Sequence, residues 1–292
     1  MMSNQAIYIR LMGGLGNQLF QYATARSVAD QLGLDLVLDD RYIVRKSQHT
    51  GLAIGLFNIR AQFAGPVEHS LFSESIVRVA RWFRHYKRPL GNILWESSFY
   101  YDAGIQSARA SMLLCGFWQS ERYFFNSDAL RQDLQLQSDF DVKAKDLMRA
   151  VQSPTSIAVH IRRGDYQSHP KALERFGICS IGYYQAAVNH MRQYIPKPQF
   201  IVFTDDPKWV RSHLDLGQDY ILGSELNLSP EQDLMLMSFC HHQIIANSTF
   251  SWWSAWLNKQ PDKIVISPAP WFDDSGFSDK DLIPHGWLRM PK

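Results

Sequence analysis

The sequence predicts an α/β protein of two domains, each built on a mostly parallel sheet. Short apolar runs that suit buried strands alternate with segments of helical pattern in both halves of the 292-residue chain. The polar segment 152–155 interrupts this alternation, which restarts beyond it. We therefore expect a first domain over residues 1–152 and a second over residues 153–292.

The first half opens with a βαβ unit. Strands are expected at 6–11 and 34–38, with a helix from about 19 to 32 between them. A further strand is expected from residue 111, and a polar helix over 128–150. These elements are the basis for an α/β first domain.

The turn after the first strand is rich in glycine. Gly14 and Gly16 lie there, and Asp39 follows roughly 20 residues later, a spacing typical of dinucleotide binding. Leu19, however, occupies the position of the third glycine of that pattern. An NAD-dependent oxidoreductase is therefore one alternative, and a tight turn that needs glycine only for its geometry is another.

The segment 76–88 has two faces at helical spacing. The basic residues are Arg78, Arg81, Arg84 and Arg88. The apolar residues on the other face are Val79, Trp82, Phe83 and Tyr86. Such a helix can lie on an anionic membrane surface, and the alternative is a surface helix that buries its aromatic stripe.

Trp118, Gln119 and Ser120 follow the strand that begins near residue 111. Aromatic faces pack on sugar rings, while amides and hydroxyls bind the sugar hydroxyl groups. The three residues are therefore candidates for a sugar pocket. A core tryptophan at a domain interface is the alternative.

The second half repeats the strand–helix pattern. Strands are expected at 157–161, 200–203, 220–222, 243–246 and 263–266. Helices are expected at 182–194, 229–240 and 247–257. Ser229 and Gln232 have the spacing of a capping box, with Pro230 at the first helical position.

Three of these strands end in side chains suited to a nucleotide diphosphate, and ligands bind beyond the carboxyl ends of parallel strands. The residues are Arg162 and Arg163, Asp205 and Asp206, and Ser248 and Thr249. Guanidinium groups bind phosphate, and hydroxyls at a helix start form an anion site. The two carboxylates suit either Mg²⁺ or Mn²⁺, or the hydroxyls of a ribose and the edge of a purine.

Composition excludes several classes of function. Lys and Arg number 30 against 28 Asp and Glu, a balance that argues against a general nucleic-acid binder. Cys115, Cys179 and Cys240 are widely spaced, so we expect neither a disulfide framework nor a structural zinc site. The polar N-terminal residues lack a signal-peptide pattern, and no apolar run approaches the ~20 residues that span a bilayer. We expect a cytoplasmic protein without a transmembrane segment.

Five motifs together resemble the motif set of the α-1,2-fucosyltransferases, glycosyltransferase family 11. They are GGLGNQLFQYA at 13–23, GFWQS at 116–120, HIRRGDY at 160–166, FTDD at 203–206 and NSTFSWW at 247–253. The resemblance continues to residues 271–272 and 282–284, so it covers nearly the whole chain.

This resemblance implies a GT-B architecture, with two Rossmann-like domains facing across a cleft. The C-terminal domain would hold GDP-β-L-fucose and the N-terminal domain most of the acceptor. The reaction would be an inverting, metal-independent transfer of L-fucose to the 2-hydroxyl of a terminal galactose. No cofactor is expected. The lack of an export signal and the basic residues of the segment 76–88 further indicate a galactose-terminated glycan acceptor built on a lipid carrier at the cytoplasmic membrane face.

The resemblance also implies site residues. Arg162 would contact the β-phosphate, and Asn17 would reach the donor or the acceptor from the glycine turn. The other donor-binding residues would be His160, Arg163, Asp205, Asp206, Ser248, Thr249, Phe250, Ser251, Gly14 and Gly16. Asp165 is a candidate catalytic base. Its pairing with Arg162 or Arg163 is the structural alternative, and a lectin-like module without activity is the alternative for the whole chain.

Overall fold

The computed structural model describes residues 6–46, 52–86, 89–164, 170–218 and 220–292. Contacts divide the chain into two compact units. The N-terminal unit holds residues 1–137 and 280–282, and the C-terminal unit holds residues 138–279 and 283–292. These contacts group the helix Val142–Val151 with the second sheet, whereas the domain boundary at residue 152 stays a prediction.

The N-terminal unit contains a parallel sheet flanked by helices. Its elements are β1 Ala6–Arg10, α1 Leu15–Leu32, β2 Asp35–Asp39, α2 Arg41–Lys46, β3 Gln62–Phe63, α3 Pro66–Leu71, α4 Glu74–Trp82, β4 Ile93–Trp95, β5 Met112–Cys115 and α5 Ser127–Asp133. Within the described part of the unit the sheet has five strands in the order β3-β2-β1-β5-β4, and all its pairs are parallel.

The C-terminal unit contains a second parallel sheet. Its elements are α6 Val142–Val151, β6 Ser156–Ile161, α7 Pro170–Phe176, α8 Ile181–Tyr194, β7 Gln199–Thr204, α9 Pro207–His213, β8 Ile221–Leu222, α10 Pro230–Phe239, β9 His242–Ile244, α11 Thr249–Leu257, β10 Val265–Ala269 and β11 Leu288–Pro291. Across the residues described here, six strands run in the order β11-β10-β9-β6-β7-β8, again with parallel pairs.

The central strands are buried on both of their faces. All six residues of β6 are buried, so its sequence is an apolar run rather than an alternating one. Ile157, Val159 and Ile161 pack in the same core cluster as Tyr184 and Val188 of α8. This packing holds β6 in the middle of the sheet, with its carboxyl end at the edge where Arg162 follows.

The helix α1 begins earlier than expected. It starts at Leu15 rather than near residue 19, because the carbonyl of Gly14 accepts hydrogen bonds from the backbone N–H groups of Asn17 and Gln18. The glycine turn thus forms the first helical turn, and Asn17 lies at the start of the helix. Gly33 ends the helix with a φ of 65°.

Two other local expectations were incomplete. Ser229 and Pro230 open α10 as expected, but the Ser229 hydroxyl makes no capping hydrogen bond. The short strands β3, β4 and β11 were not foreseen, because runs of two to four residues carry too little periodicity to identify.

The helix expected over 76–88 is shorter than expected, and a different side of it is buried. α4 ends at Trp82, and a 3₁₀ turn covers Arg84–Tyr86. The alternative in which the aromatic stripe is buried was wrong, since Val77 and Ala80 are the residues that enter the core. Arg88, the last residue of the predicted basic face, lies outside the described residues. No helix in the described ranges is long and apolar enough to cross a bilayer.

Candidate active site

The sheet register brings two of the predicted polar pairs together at one edge of the C-terminal unit. Ile161 of β6 lies beside Thr204 of β7, so the residues that follow the two strands are neighbours. Val159 is paired with Ile244 of β9, whose chain continues to the start of α11. The carboxyl edge of this sheet therefore collects all three predicted strand ends.

Asp205 organises the turn that follows β6. Its Oδ1 accepts a hydrogen bond from the backbone N–H of Arg163, and its Oδ2 accepts one from Gly164, both at 2.9 Å. A Cβ on Gly164 would lie 3.3 Å from that same Oδ2, so glycine permits the close approach. The carboxylate thus has a positioning role that neither the metal nor the ribose interpretation foresaw.

The two arginines at this turn have different surroundings. Arg162 donates from Nη1 to the Oγ of Ser248 at 3.0 Å. The guanidinium of Arg163 stacks on Trp209 at 4.2 Å from the ring centroid, and its Nε lies 3.6 Å from Oδ2 of Asp206. Arg162 is therefore the arginine directed toward the start of α11, while Arg163 packs and pairs within the sheet edge.

The start of α11 is built from hydroxyl residues with separate tasks. Ser248 is the N-cap, and its Oγ accepts from the backbone N–H of Phe250 at 3.3 Å. Ser251 is fully buried and donates to backbone carbonyls within the turn, so it serves the helix itself. Thr249 is half-buried at the first helical position. Ser248 and Thr249 are thus the hydroxyl residues placed at the helix start beside Arg162.

Asn247, just before this helix, is an anchor rather than an exposed polar group. Its buried Nδ2 donates to the carbonyls of Phe176 at 2.6 Å and Trp271 at 3.2 Å. On the other side, the buried His160 of β6 packs its ring 5.5 Å from that of Phe250. These contacts hold the Ser248 turn in place against the sheet.

The glycine turn of the N-terminal unit positions Asn17. Gly13 has a φ of 75°, which favours glycine, and a Cβ there would lie 2.4 Å from Nδ2 of Asn17. Gly14 is the N-cap in an extended conformation, and Gly16 is buried inside α1. Gly13, which was not among the candidate residues, is thus the glycine that the turn requires by its φ angle.

Two of the three predicted acceptor residues are structural. Trp118 is 0% exposed and packs edge-on against Tyr123, with the ring centroids 5.4 Å apart. It is therefore a core tryptophan rather than part of an open sugar pocket. The buried Ser120 donates from Oγ to the carbonyl of Asp281 at 2.6 Å. Gln119 differs, because its Nε2 donates to Oδ1 of Asn17 at 2.8 Å. Gln119 is thus the predicted acceptor residue that contacts another candidate site residue.

Sequence reasoning missed Glu96, which follows β4. Its carboxylate accepts hydrogen bonds from the backbone N–H groups of Phe117 at 2.8 Å and Trp118 at 3.0 Å. Burial raises the pKa of Glu96 to about 8, although these two bonds oppose the shift. A Cβ on Gly116 would lie 2.4 Å from the Cβ of Glu96, so glycine allows the turn to approach. A lone glutamate after an unrecognised strand gave no sequence signal.

Asp39 is not placed as the oxidoreductase alternative requires. Its buried carboxylate accepts from Arg10 Nη2 at 2.9 Å and from Arg41 Nε at 2.8 Å. Burial would raise the pKa of Asp39, but the hydrogen bonds from Arg41 and the charge of Arg10 outweigh it and lower the pKa. The aspartate serves a buried ion-pair cluster rather than presenting its oxygens to a ribose.

Asp165, the candidate base, lies outside the described residues. Among the residues that are described, no three His, Cys, Asp or Glu side chains are grouped so that they could hold a metal ion.

Comparison with known proteins adds a family to this geometry. The chain matches the model of glycosyl transferase family 11 over residues 6–290. It is 34% identical to an alpha-1,2-colitosyltransferase of Escherichia coli, over 98% of this chain and 99% of that protein. It is 30% identical to the O-antigen biosynthesis glycosyltransferase WbnK of Escherichia coli, over 97% of this chain and 100% of the other. The galactoside alpha-(1,2)-fucosyltransferase 1 of Ateles belzebuth is 27% identical, and the match spans 84% of this chain and 63% of that one.

Solved structures share the fold. POFUT1 in complex with GDP-fucose matches with a TM-score of 0.55 at 13% identity, over 91% of this chain and 99% of that one. NodZ alpha-1,6-fucosyltransferase soaked with GDP-fucose matches with a TM-score of 0.50 at 18% identity, over 87% of this chain and 92% of that one. The expected α/β class with two parallel sheets, as in GT-B fucosyltransferases, is confirmed. The chain belongs to glycosyl transferase family 11.

Proposed function

We propose that this enzyme transfers L-fucose from GDP-β-L-fucose to the 2-hydroxyl of a terminal galactose, forming an α-1,2 linkage with inversion. The observation that carries the proposal is the placement of Arg162 beside Ser248 at the carboxyl edge of the second sheet. A guanidinium next to the N-terminus of a helix suits a diphosphate. Family membership and the matches to α-1,2-transferases support the same class of reaction.

Arg162 stabilises the leaving group in this mechanism. As the bond between the sugar and the diphosphate breaks, negative charge grows on the β-phosphate and positive character on the sugar ring. Arg162 is already oriented by Ser248, so it stabilises the developing charge without reorganisation. Asp205 contributes indirectly, because its bonds to the backbone of Arg163 and Gly164 shape the turn that carries Arg162.

Positive charge from arginine removes the need for a metal ion, so we propose a metal-independent reaction. The acceptor hydroxyl must lose a proton, and Asp165 stays our proposed base on the sequence alone. Asn17 is the proposed polar contact in the N-terminal unit, since its amide is fixed by Gln119. In our proposal the enzyme works in the cytoplasm on a galactose-terminated glycan, including one carried on a lipid.

Transfer of colitose is a second candidate, favoured by the 34% identity to an alpha-1,2-colitosyltransferase along nearly the full length of both chains. Colitose is L-fucose without its 3-hydroxyl group. A site that hydrogen-bonds that hydroxyl would discriminate strongly against colitose, whereas an apolar site would discriminate weakly. The two donors are therefore separable by kinetics.

The test is a transfer assay with the purified chain. GDP-fucose and GDP-colitose are each offered with galactose-terminated disaccharides, and with the same acceptors lacking the galactose 2-hydroxyl as matched controls. We expect a product from GDP-fucose whose linkage, determined by NMR, is α-1,2, and none from the deoxy controls. A higher kcat/KM with GDP-colitose than with GDP-fucose would identify colitose as the transferred sugar. Transfer to the deoxy controls would refute the proposed linkage.

A further inference from the structure

The helix α4 presents three different sides. Val77 and Ala80 point into the core cluster that also contains Tyr8 and Phe72. The indole Nε1 of Trp95 donates to the carbonyl of Val77 at 3.1 Å and so holds the helix against β4. The orientation of α4 is therefore set by its buried side, and the other two sides face away from this core cluster.

The second side is apolar and exposed. It consists of Ile76, Val79 and Trp82 of α4, together with Phe83 and Tyr86 of the segment that follows, and we call these five residues the aromatic face. Trp82 is 84% exposed and Tyr86 is 73% exposed, and the other three are also in the exposed class. Residues of this size cost free energy when water covers them, and contiguous exposed apolar patches mark interaction sites.

The third side is basic. Arg78 and Arg81 of α4 are exposed, Arg84 of the following 3₁₀ turn is half-buried, and we call these three the basic border. The acidic residue of α4, Glu74, accepts a hydrogen bond from the buried Arg10 and is therefore engaged toward the sheet. The basic border thus keeps its positive charge beside the aromatic face.

We propose that the aromatic face and the basic border together bind an anionic membrane surface. Tryptophan and tyrosine favour the interface between lipid headgroups and acyl chains, and arginines attract anionic headgroups. A short amphipathic helix with these two sides lies in the plane of the interface, with its apolar side buried at the headgroup boundary. Binding of this kind is weakened by salt, because the arginine charges are screened.

A second copy of the chain is a poorer occupant of this surface. A two-fold symmetric interface would bring the same patch against itself. The basic borders of both copies would then approach each other, and like charges oppose such contacts. An anionic bilayer is complementary to both sides of the helix at once. The proposal does not depend on which sugar the enzyme transfers.

The experiment is co-sedimentation of the full chain with vesicles. Vesicles of phosphatidylcholine alone are compared with vesicles containing phosphatidylglycerol, at low salt and at high salt. We expect binding to the anionic vesicles at low salt and release at high salt. Two variants test the two sides: Trp82→Ser with Tyr86→Ser, and Arg78→Gln with Arg81→Gln and Arg84→Gln. Each should lower the vesicle partition coefficient at least tenfold.

A matched control changes surface residues of the same kinds elsewhere, the exposed Tyr194→Ser with the half-buried Arg192→Gln, and should bind as the wild type does. Affinity for GDP and the thermal midpoint are measured for every variant, so that misfolding is recognised. Absence of wild-type binding at low salt, or equal binding by all proteins, overturns the proposal. So does sedimentation equilibrium showing a lipid-free dimer that only the aromatic variant loses.

Discussion

The amide of Gln119 donates a hydrogen bond to Oδ1 of Asn17 at 2.8 Å, across 102 positions of the sequence. The bond engages the acceptor end of the Asn17 amide and leaves Nδ2 as the donor end, which lies over Gly13. A fixed amide donor suits a sugar hydroxyl or a phosphate oxygen. Gln119 of the second motif therefore acts through Asn17 of the first motif rather than on its own.

Gly13→Ala should displace Asn17. The new Cβ would lie 2.4 Å from Asn17 Nδ2, and the φ of 75° adds about 1–2 kcal/mol of backbone strain. We expect a fall in kcat/KM of tenfold or more, measured by sugar transfer. Gly33→Ala is the matched control, because it has a φ of 65° but nothing within 4 Å of the new Cβ. It should lose similar stability and keep its activity; equal activity losses in both would contradict the role of Asn17.

Arg162→Ala should lower turnover by two to three orders of magnitude. Loss of a preorganised donor to developing charge costs about 3–4 kcal/mol. Arg162→Lys should restore little, since an ammonium lacks the planar fork of the guanidinium. Single-turnover kinetics with saturating donor measure the effect, and Arg192→Ala is the control, a half-buried arginine of the same unit that pairs with Asp215. Turnover near the wild-type value in Arg162→Ala would remove this residue from the mechanism.

Asp205→Ala should damage the turn that carries Arg162. The backbone N–H groups of Arg163 and Gly164 lose their acceptor, and hydrogen bonds to a charged group contribute about 1.5–3 kcal/mol before solvent exposure reduces them. We expect kcat/KM for the donor to fall by roughly ten- to a hundredfold, with Asp205→Asn in between. Asp141→Ala is the control, because that aspartate caps α6 by accepting from the backbone N–H of Ala144 and not from the turn. It should cost about 1 kcal/mol of stability and leave kcat/KM unchanged.

Activity should persist in excess EDTA. Arg162 supplies positive charge at the sheet edge, and the Asp205 carboxylate is engaged by two backbone N–H groups. The measurement is the initial rate after dialysis against EDTA, with and without added Mn²⁺. Loss of activity that Mn²⁺ restores would reassign Asp205 and Asp206 as metal ligands.

Glu96 should make the protein less stable as the pH rises. Its pKa is about 8 in the folded chain and near the ordinary 4.5 when unfolded. Between these values the folded state binds a proton that the unfolded state does not, so the free energy of unfolding falls with increasing pH. Glu96→Gln should reduce this slope between about pH 4.5 and 8, measured by urea unfolding. An unchanged slope in the variant would show that Glu96 ionises normally.

The strand ends illustrate how far sequence reasoning reaches. The apolar run at 157–161 and the polar pairs after 161 and 204 are local patterns, and parallel strands bring their carboxyl ends to one edge by geometry alone. Placement of Arg162 beside Ser248 followed from these local features. Periodicity could not show that Asp205 binds the turn after β6, because strand patterns indicate which residues share an edge of the sheet but not which side chain bonds to which backbone group.

The sequence by itself determined the family, the α/β class and the polar groups at the strand ends. Motifs and buried strands can be identified in this way because they are patterns of consecutive residues. Only the tertiary structure decided which side chains stabilise the fold and which remain exposed. Trp118 is buried, Arg163 stacks on Trp209, and Glu96 binds the backbone N–H of Phe117. Trp82, in contrast, is exposed to solvent. Burial or exposure of each of these side chains depends on contacts with residues distant in sequence. The hydrophobic pattern of a helix or strand does not specify which of its sides will make such contacts.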